Sequence, residues 1–177
     1  SLKGGHHAHN LGFAFMTGLA LQIPPEKILQ GISSVSPLDG RGRRIRGTRL
    51  KLVVDESYNA NPASVLAALE VFRKVDVPGG RWAVLGGMRE LGEDSVSLHR
   101  SVLEKTGFLD GLILVGREWE EPLEGSPEKG RKCVWRVSNA KEALDLVSGL
   151  MGSQDSLLVK GSRFYGLESV VKGLAGS

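Results

Sequence analysis

Three short stretches carry the side chains that could do chemistry. Asp55-Glu56-Ser57-Tyr58-Asn59-Ala60-Asn61-Pro62 sets two carboxylates, a phenol and two amides side by side. A plain turn needs one capping side chain, not this density of polar groups, so the stretch reads as a ligand-binding loop. Lys160-Gly161-Ser162-Arg163 places a cation, flexible backbone N–H groups and a hydroxyl together, which suits an anion. Gly86-Gly87-Met88-Arg89-Glu90-Leu91-Gly92 supplies glycines where backbone can approach a ligand closely. His6, His7 and His9 lie near enough to one another to suggest a metal site, but no cysteine or carboxylate beside them completes one, and no metal ligand is assigned. The basic run from Arg41 to Lys51 lacks interleaved aromatics, which favours a solvated hairpin or an anion site over a nucleic-acid surface.

Each of these polar stretches follows an apolar run. Leu52, Val53 and Val54 read as the end of a buried strand, with Asn61 as N-cap and Pro62 in the first turn of a helix. Val65, Leu66, Leu69 and Phe72 recur there at helical spacing. Trp82 to Leu85 is a second strand, and Asp94 or Ser95 is expected to cap the helix after it. On that helix His99 is either satisfied in a helix–loop contact or turned to a ligand. Leu112 to Gly116, Lys132 to Val137 and Ser156 to Val159 are further strands, with helices from Asn139 to Leu150 and from Leu167 to Leu174. Arg117 to Gly130 is charged and holds a short helix at most. Arg43–Arg46 and Arg49–Val54 flank Gly47-Thr48 as a hairpin. The alternation predicts an α/β fold, a Rossmann-like, mostly parallel sheet flanked by helices. Parallel strands bring their C-terminal ends to one edge, so Asp55, Tyr58, Asn59, Arg89, Glu90, Lys160 and Ser162 are expected to cluster there. Lys160 follows Leu157-Leu158-Val159, which anchors its backbone and leaves its side chain expected to point into the cleft. No G-x-G-x-x-G follows the first strand, and no G-x-x-x-x-G-K-[ST] occurs in the sequence.

Upstream, Leu11 to Leu21 is apolar nearly all round, which predicts a buried helix. Pro24-Pro25 ends it, and a second helix follows with Ile28, Leu29 and Ile32 on its apolar face. From Ser33 to Gly42 the periodicity breaks, and a domain boundary is expected near Pro37, dividing 1–37 from 38–177. A chain of 177 residues, 41% hydrophobic and 24% charged, has the make-up of a globular protein. No apolar run approaches the roughly 20 residues of a membrane span, so no membrane partner is expected. The lone Cys133 allows no intrachain disulfide and fits a reducing cytosol. Ser1-Leu2-Lys3 is not a natural start and no signal peptide follows, which suggests an excised fragment.

Asp55 to Pro62 resembles the D-[DE]-S-Y-N-A-N-P signature of the Mur ligases that join D-Ala-D-Ala to UDP-MurNAc-tripeptide. Gly86 to Gly92 is similar to the family's G-D-M-x-E-L-G loop, with Gly87 in place of the Asp, and Leu158 to Arg163 resembles its L-V-K-G-S-R. His6 and Asn10 match the Gly-Arg-His-Asn-x-x-Asn pattern, from which Gly5 and His7 depart. Gly40-Arg41 matches the Gly-Arg pair at the domain crossing, and His99 and Glu168 match further family positions. The resemblance implies the C-terminal domain of an ATP-dependent carboxylate–amine ligase of peptidoglycan synthesis, preceded by the last helices of its central ATP-binding domain. It implies a cytoplasmic monomer that uses ATP and Mg²⁺, with the phosphate loop and metal ligands upstream, and that takes UDP-MurNAc-tripeptide and D-Ala-D-Ala. His6, Asn10, Arg41, Asp55 and Glu56 would face the nucleotide. Tyr58, Asn59, Asn61, Glu90, Lys160, Ser162 and Arg163 would orient the peptide substrates, and no catalytic residue lies in this stretch. The diaminopimelate- or lysine-adding Mur ligases and folylpolyglutamate synthase show D-[YF]-A-H-x-P at the first loop, from which Tyr58 to Pro62 departs. A non-catalytic binding domain is the alternative of another class.

Overall fold

The structure, a computed structural model, describes residues 5–35, 38–46, 49–124 and 133–175, with backbone alone for 5–9. Contacts divide the chain into two compact units, Ser1–Leu38 and Asp39–Ser177. Pro37, the expected boundary residue, lies outside the described residues.

The first unit holds α1 (Gly5–Ala20) and α2 (Pro25–Ser34). Pro25 starts α2 at the position where a missing N–H costs nothing. Gly18 of α1 lets Ile28 approach so closely that a Cβ there would stand 2.7 Å from its Cδ1. The expectation of a buried first helix does not hold within this unit. Phe13 is 73% and Met16 64% exposed, because α2 covers only the face that carries Gly18.

The second unit is built on one six-stranded sheet: β1 (Arg43–Ile45), β2 (Leu52–Glu56), β3 (Arg81–Gly86), β4 (Gly111–Val115), β5 (Cys133–Val137) and β6 (Ser156–Lys160), in spatial order β1-β2-β6-β3-β4-β5. β1 pairs antiparallel with β2, and all other pairs are parallel. The hairpin turn at Gly47-Thr48 lies outside the described residues, and its second arm becomes strand only from Leu52. Strand side chains alternate between two cores. Leu52, Val54, Ala83, Leu85, Leu112, Leu114 and Leu158 pack under α3 (Pro62–Arg73) and α4 (Ser95–Glu104). Val53, Val84, Ile113, Val115, Leu157 and Val159 pack under α6 (Ala140–Leu150) and α7 (Glu168–Ala175). Apolar side chains on both faces are what a parallel sheet covered by helices requires.

Asn61 caps α3 as expected, its Oδ1 accepting from Ser64 N–H at 2.8 Å while Ser64 Oγ accepts from Asn61 N–H at 3.1 Å. Asn139 caps α6 in the same way through Glu142 N–H. For α4 neither Asp94 nor Ser95 supplies the expected cap, since a 3₁₀ turn over Gly92–Asp94 leads straight into the helix. After β4 the chain makes a 3₁₀ turn, Arg117–Trp119, and the short α5 (Glu120–Glu124). Among the described residues no helix is long and apolar enough to cross a membrane.

Candidate functional site

The polar loops lie just beyond the C-terminal ends of β2, β6, β3 and β4. Glu56 stands opposite Lys160, Leu85 also opposite Lys160, and Gly86 opposite Val115. This edge gathers the residues that the sequence places after strands. Its two halves are built differently.

In the β2–β6 half a carboxylate holds backbone. Asp55 is buried, its Oδ2 accepting from Gly40 N–H at 2.9 Å and its Oδ1 from Ser57 N–H at 3.1 Å and Ser57 Oγ–H at 2.6 Å. Tyr58 N–H in turn donates to Gly40 O at 3.1 Å. Gly40 has φ +73° and lies against Tyr58, where a Cβ would meet the Tyr58 nitrogen at 2.8 Å, so only glycine fits. This docking delivers the next residue to the loop. The Arg41 guanidinium lies over the Tyr58 ring, 4.2 Å from its centroid. Arg163, from the loop after β6, stands 5.6 Å from the same ring. Tyr58 is 42% exposed, so the stack faces solvent. Beside it a cavity of about 320 Å³ is lined by Asp39, Arg43, Tyr58, Arg163 and Lys172.

Lys160 departs from expectation. It is 3% exposed, and its Nζ donates to Asn59 O at 3.0 Å and lies 3.7 Å from Glu56 Oε2. Burial pulls its ammonium below the ordinary lysine range, and the Glu56 carboxylate opposes that shift. The side chain does not point freely into the cleft because Lys160 follows Leu158 at period two and so turns to the α3 face. Asn59 meets it through the main chain and is itself exposed. Ser162 is buried, donates its N–H to Gly87 O at 3.4 Å and accepts from Phe164 N–H.

In the β3–β4 half a histidine holds the loop. His99 is fully buried on α4; its Nε2 accepts from Met88 N–H at 3.0 Å and its Nδ1 donates to Ser95 O at 2.7 Å. That pair of bonds assigns the neutral Nδ1–H tautomer, and burial pulls the pKa below the ordinary 6.5. Trp119 meets the imidazole edge-on, with ring centroids 4.6 Å apart. His99 is therefore a helix–loop contact rather than a group facing solvent. Beyond it, Glu90 takes a left-handed φ of +64° with its side chain exposed. Arg89 donates to Glu118 Oε1 at 3.0 Å and lies over the Phe164 ring at 4.4 Å. Tyr165 donates its phenolic O–H to the other oxygen of Glu118. A cavity of about 490 Å³ opens here, lined by Arg89, Arg117, Glu120, Arg136 and Tyr165.

Sequence reasoning missed Glu118, Phe164 and Tyr165. The rule that found the other loops would have found Glu118, since it follows β4 by three residues. Asn10 is exposed on α1 in the first unit, and the His6 side chain lies outside the described residues. No group of three or more His, Cys, Asp or Glu able to hold a metal exists among the described residues. The oxygens of Asp55 are committed to Gly40 and Ser57.

A mostly parallel sheet with arginines, a tyrosine and amides gathered past its strand ends, and without a phosphate loop, defines an α/β domain with polar loops at its strand ends, where such sheets bind ligands. Residues 40–163 match the Mur ligase, glutamate ligase domain. The chain belongs to the Mur ligase family. It is 29% identical to the UDP-N-acetylmuramoyl-tripeptide–D-alanyl-D-alanine ligase of Escherichia coli (strain K12), over 98% of this chain and 38% of that protein. With the same enzyme of Buchnera aphidicola subsp. Baizongia pistaciae the identity is 33%, over 98% of this chain and 37% of the relative. A crystal structure of MurF from Acinetobacter baumannii superposes with a TM-score of 0.84 at 29% identity, covering 99% of this chain and 39% of that one. The chain thus spans less than 40% of the length of these relatives.

Proposed function

We propose that this chain is the C-terminal part of an ATP-dependent ligase that adds D-Ala-D-Ala to UDP-MurNAc-tripeptide in peptidoglycan synthesis. Residues 1–37 are then the last helices of the central ATP-binding domain and residues 38–177 the C-terminal domain, in a monomeric cytoplasmic enzyme. The observation that carries this reading is the Arg41–Tyr58–Arg163 stack on the loop from Asp55 to Pro62. Two guanidiniums on one ring form a surface for phosphate oxygens, with the forked donors that a phosphate takes in pairs.

In the reaction the terminal carboxylate of the tripeptide attacks the γ-phosphorus of ATP, giving an acyl phosphate and ADP. The amine of D-Ala-D-Ala then attacks the acyl carbon, and the tetrahedral intermediate collapses to the amide with loss of phosphate and a proton. Mg²⁺, which the upstream domain would mainly hold, would supply neutralisation of phosphate charge. This chain's share is orientation: Arg41 and Arg163 on the phosphates, Tyr58, Asn59, Glu90 and Ser162 toward the peptides, and Asn10 and His6 toward the adenine. Holding reactants in register contributes on the order of 7–11 kcal/mol to such a step, so a domain without a nucleophile can still be essential. Lys160, Glu56, Asp55 and Asn61 serve by holding the loops that carry these groups.

The test is phosphate release. A protein in which this sequence follows a G-x-x-x-x-G-K-[ST] domain is expected to release phosphate from ATP and UDP-MurNAc-tripeptide only when D-Ala-D-Ala is added. The 177-residue chain alone is expected to release none. D-Ala-D-Ala-independent turnover by the first, or turnover above blank by the second, overturns the reading.

A further inference from the structure

Position 87 is a glycine with a carboxylate in the space its side chain would fill. A Cβ built there stands 2.6 Å from Glu118 Oε2 and 3.1 Å from Glu118 Cβ. The backbone at 87 cannot move away. Its N–H donates to Val115 O at 2.9 Å, and its carbonyl accepts from Ser162 N–H at 3.4 Å. Glu118 cannot move freely either, since Arg89 holds one oxygen and Tyr165 the other. The Glu118 side chain is 14% exposed and that of Arg89 42%, so the pair runs from the loop interior to the cavity mouth. Gly116, with φ +105°, leaves the room that the Tyr165 hydroxyl enters.

We propose that Glu118 is a positioning residue of the ligand edge, filling the space left open at Gly87 with its carboxylate and thereby aiming Arg89. The Gly86–Gly92 loop presents one cation, Arg89, fixed from two sides by Glu118 and by the Phe164 ring. A guanidinium fixed in this way meets a carboxylate or phosphate oxygen without first losing rotamer freedom. Glycine at 87 and glutamate at 118 are then one device in two parts. The carboxylate that Arg89 meets comes from the β4 loop, and with it in place position 87 has no room for a side chain of its own. This rests on the reading of the edge as a ligase ligand site.

Three variants test it: Glu118→Ala, Gly87→Asp, and both together. The chain has two tyrosines, and Tyr165 is pushed up to about 12 by burial and by the Glu118 hydrogen bond and charge. In a phenolate absorbance titration Glu118→Ala is expected to bring the higher-titrating tyrosine down, and adding Gly87→Asp to raise it again. Gly87→Asp alone is expected to lower the melting temperature, and Glu118→Ala to restore it. In the ligase, Glu118→Ala is expected to lower kcat/KM about tenfold through KM, the double variant recovering to within about threefold of wild type. A double variant no better than Glu118→Ala in both titration and KM overturns the proposal, as does wild-type kcat/KM in Glu118→Ala. A wild-type enzyme inactive with D-Ala-D-Ala overturns the ligase reading alone, because the titration and the melting temperatures stand without it.

Discussion

The β2–β6 half of the ligand edge holds its loop with buried charge, and the β3–β4 half holds its loop with a buried neutral ring. In the first, the Lys160 ammonium reaches from β6 to Asn59 O and Glu56. In the second, His99 takes the Met88 N–H on a neutral nitrogen. Both put the exposed groups, Tyr58 with its arginines and Arg89 with Phe164, on top of a polar contact that water hardly reaches. The comparison separates residues that hold loops from residues proposed to meet ligands. It also predicts that the two halves fail differently: the first when a partner is removed, the second when a proton is added.

The largest effect is expected from Lys160→Met. Removing one partner of a buried ion pair leaves the other charge poorly solvated and costs about 3 kcal/mol or more. Denaturant unfolding monitored by tryptophan fluorescence reads it. A loss below about 0.5 kcal/mol, the range of an ordinary surface lysine, would move Lys160 from holding the loop to meeting ligand.

His99→Ala is expected to cost about 2 kcal/mol, from a lost acceptor for Met88 N–H and a cavity beside Trp119. The same histidine gives the second half its pH dependence. Its folded pKa lies below the ordinary 6.5 because it is buried. The unfolded chain therefore binds the proton first as pH falls. The stability from a neutral His99 is complete above 6.5 and declines as pH drops below it toward the folded pKa. Unfolding midpoints at several pH values across this window should fall for wild type and stay flatter for His99→Gln. Parallel curves would mean that the loop is held otherwise.

The smallest change in stability is expected from Arg41→Ala and Arg163→Ala, each under about 0.5 kcal/mol. Their effect belongs to the ligand: ATP affinity of the ligase should fall about tenfold or more for each, as for a lost charge-assisted hydrogen bond. If instead either variant melts early with unchanged nucleotide affinity, the exposed stack is structural and the contrast between loop-holding and ligand-meeting residues fails.

Local signals explain what the sequence revealed. Four apolar runs ending in polar loops marked β2, β3, β4 and β6, and Asn61 and Asn139 marked the starts of α3 and α6, because strand burial and N-caps are properties of a few adjacent residues. Lys160 was misread although period-two alternation from Leu158 gives its direction. Glu118 lies within reach of the strand-end rule, but its role does not. Its partners Arg89 and Tyr165 lie 29 and 47 residues away, and nothing near Glu118 in sequence announces them. The apolar α1 was read as buried because hydrophobicity shows what wants cover, not whether a neighbour in the same unit provides it.

Strand order has a consequence for how the molecule comes into being. β6, the last strand, lies between β2 and β3, with Leu157 opposite both Val53 and Trp82. Until residues 156–160 leave the ribosome, β2 and β3 have no shared neighbour, and each shows an open edge that another chain could pair with. Closing the sheet then needs a contact spanning about a hundred residues, as between Asn59 and Lys160, and such loop closure slows folding. Lys160 to Arg163, which complete the ligand edge, arrive with the strand that closes the sheet. A nascent chain that stops short of them has neither a finished core nor the proposed site, so the fold and that site are completed in one step.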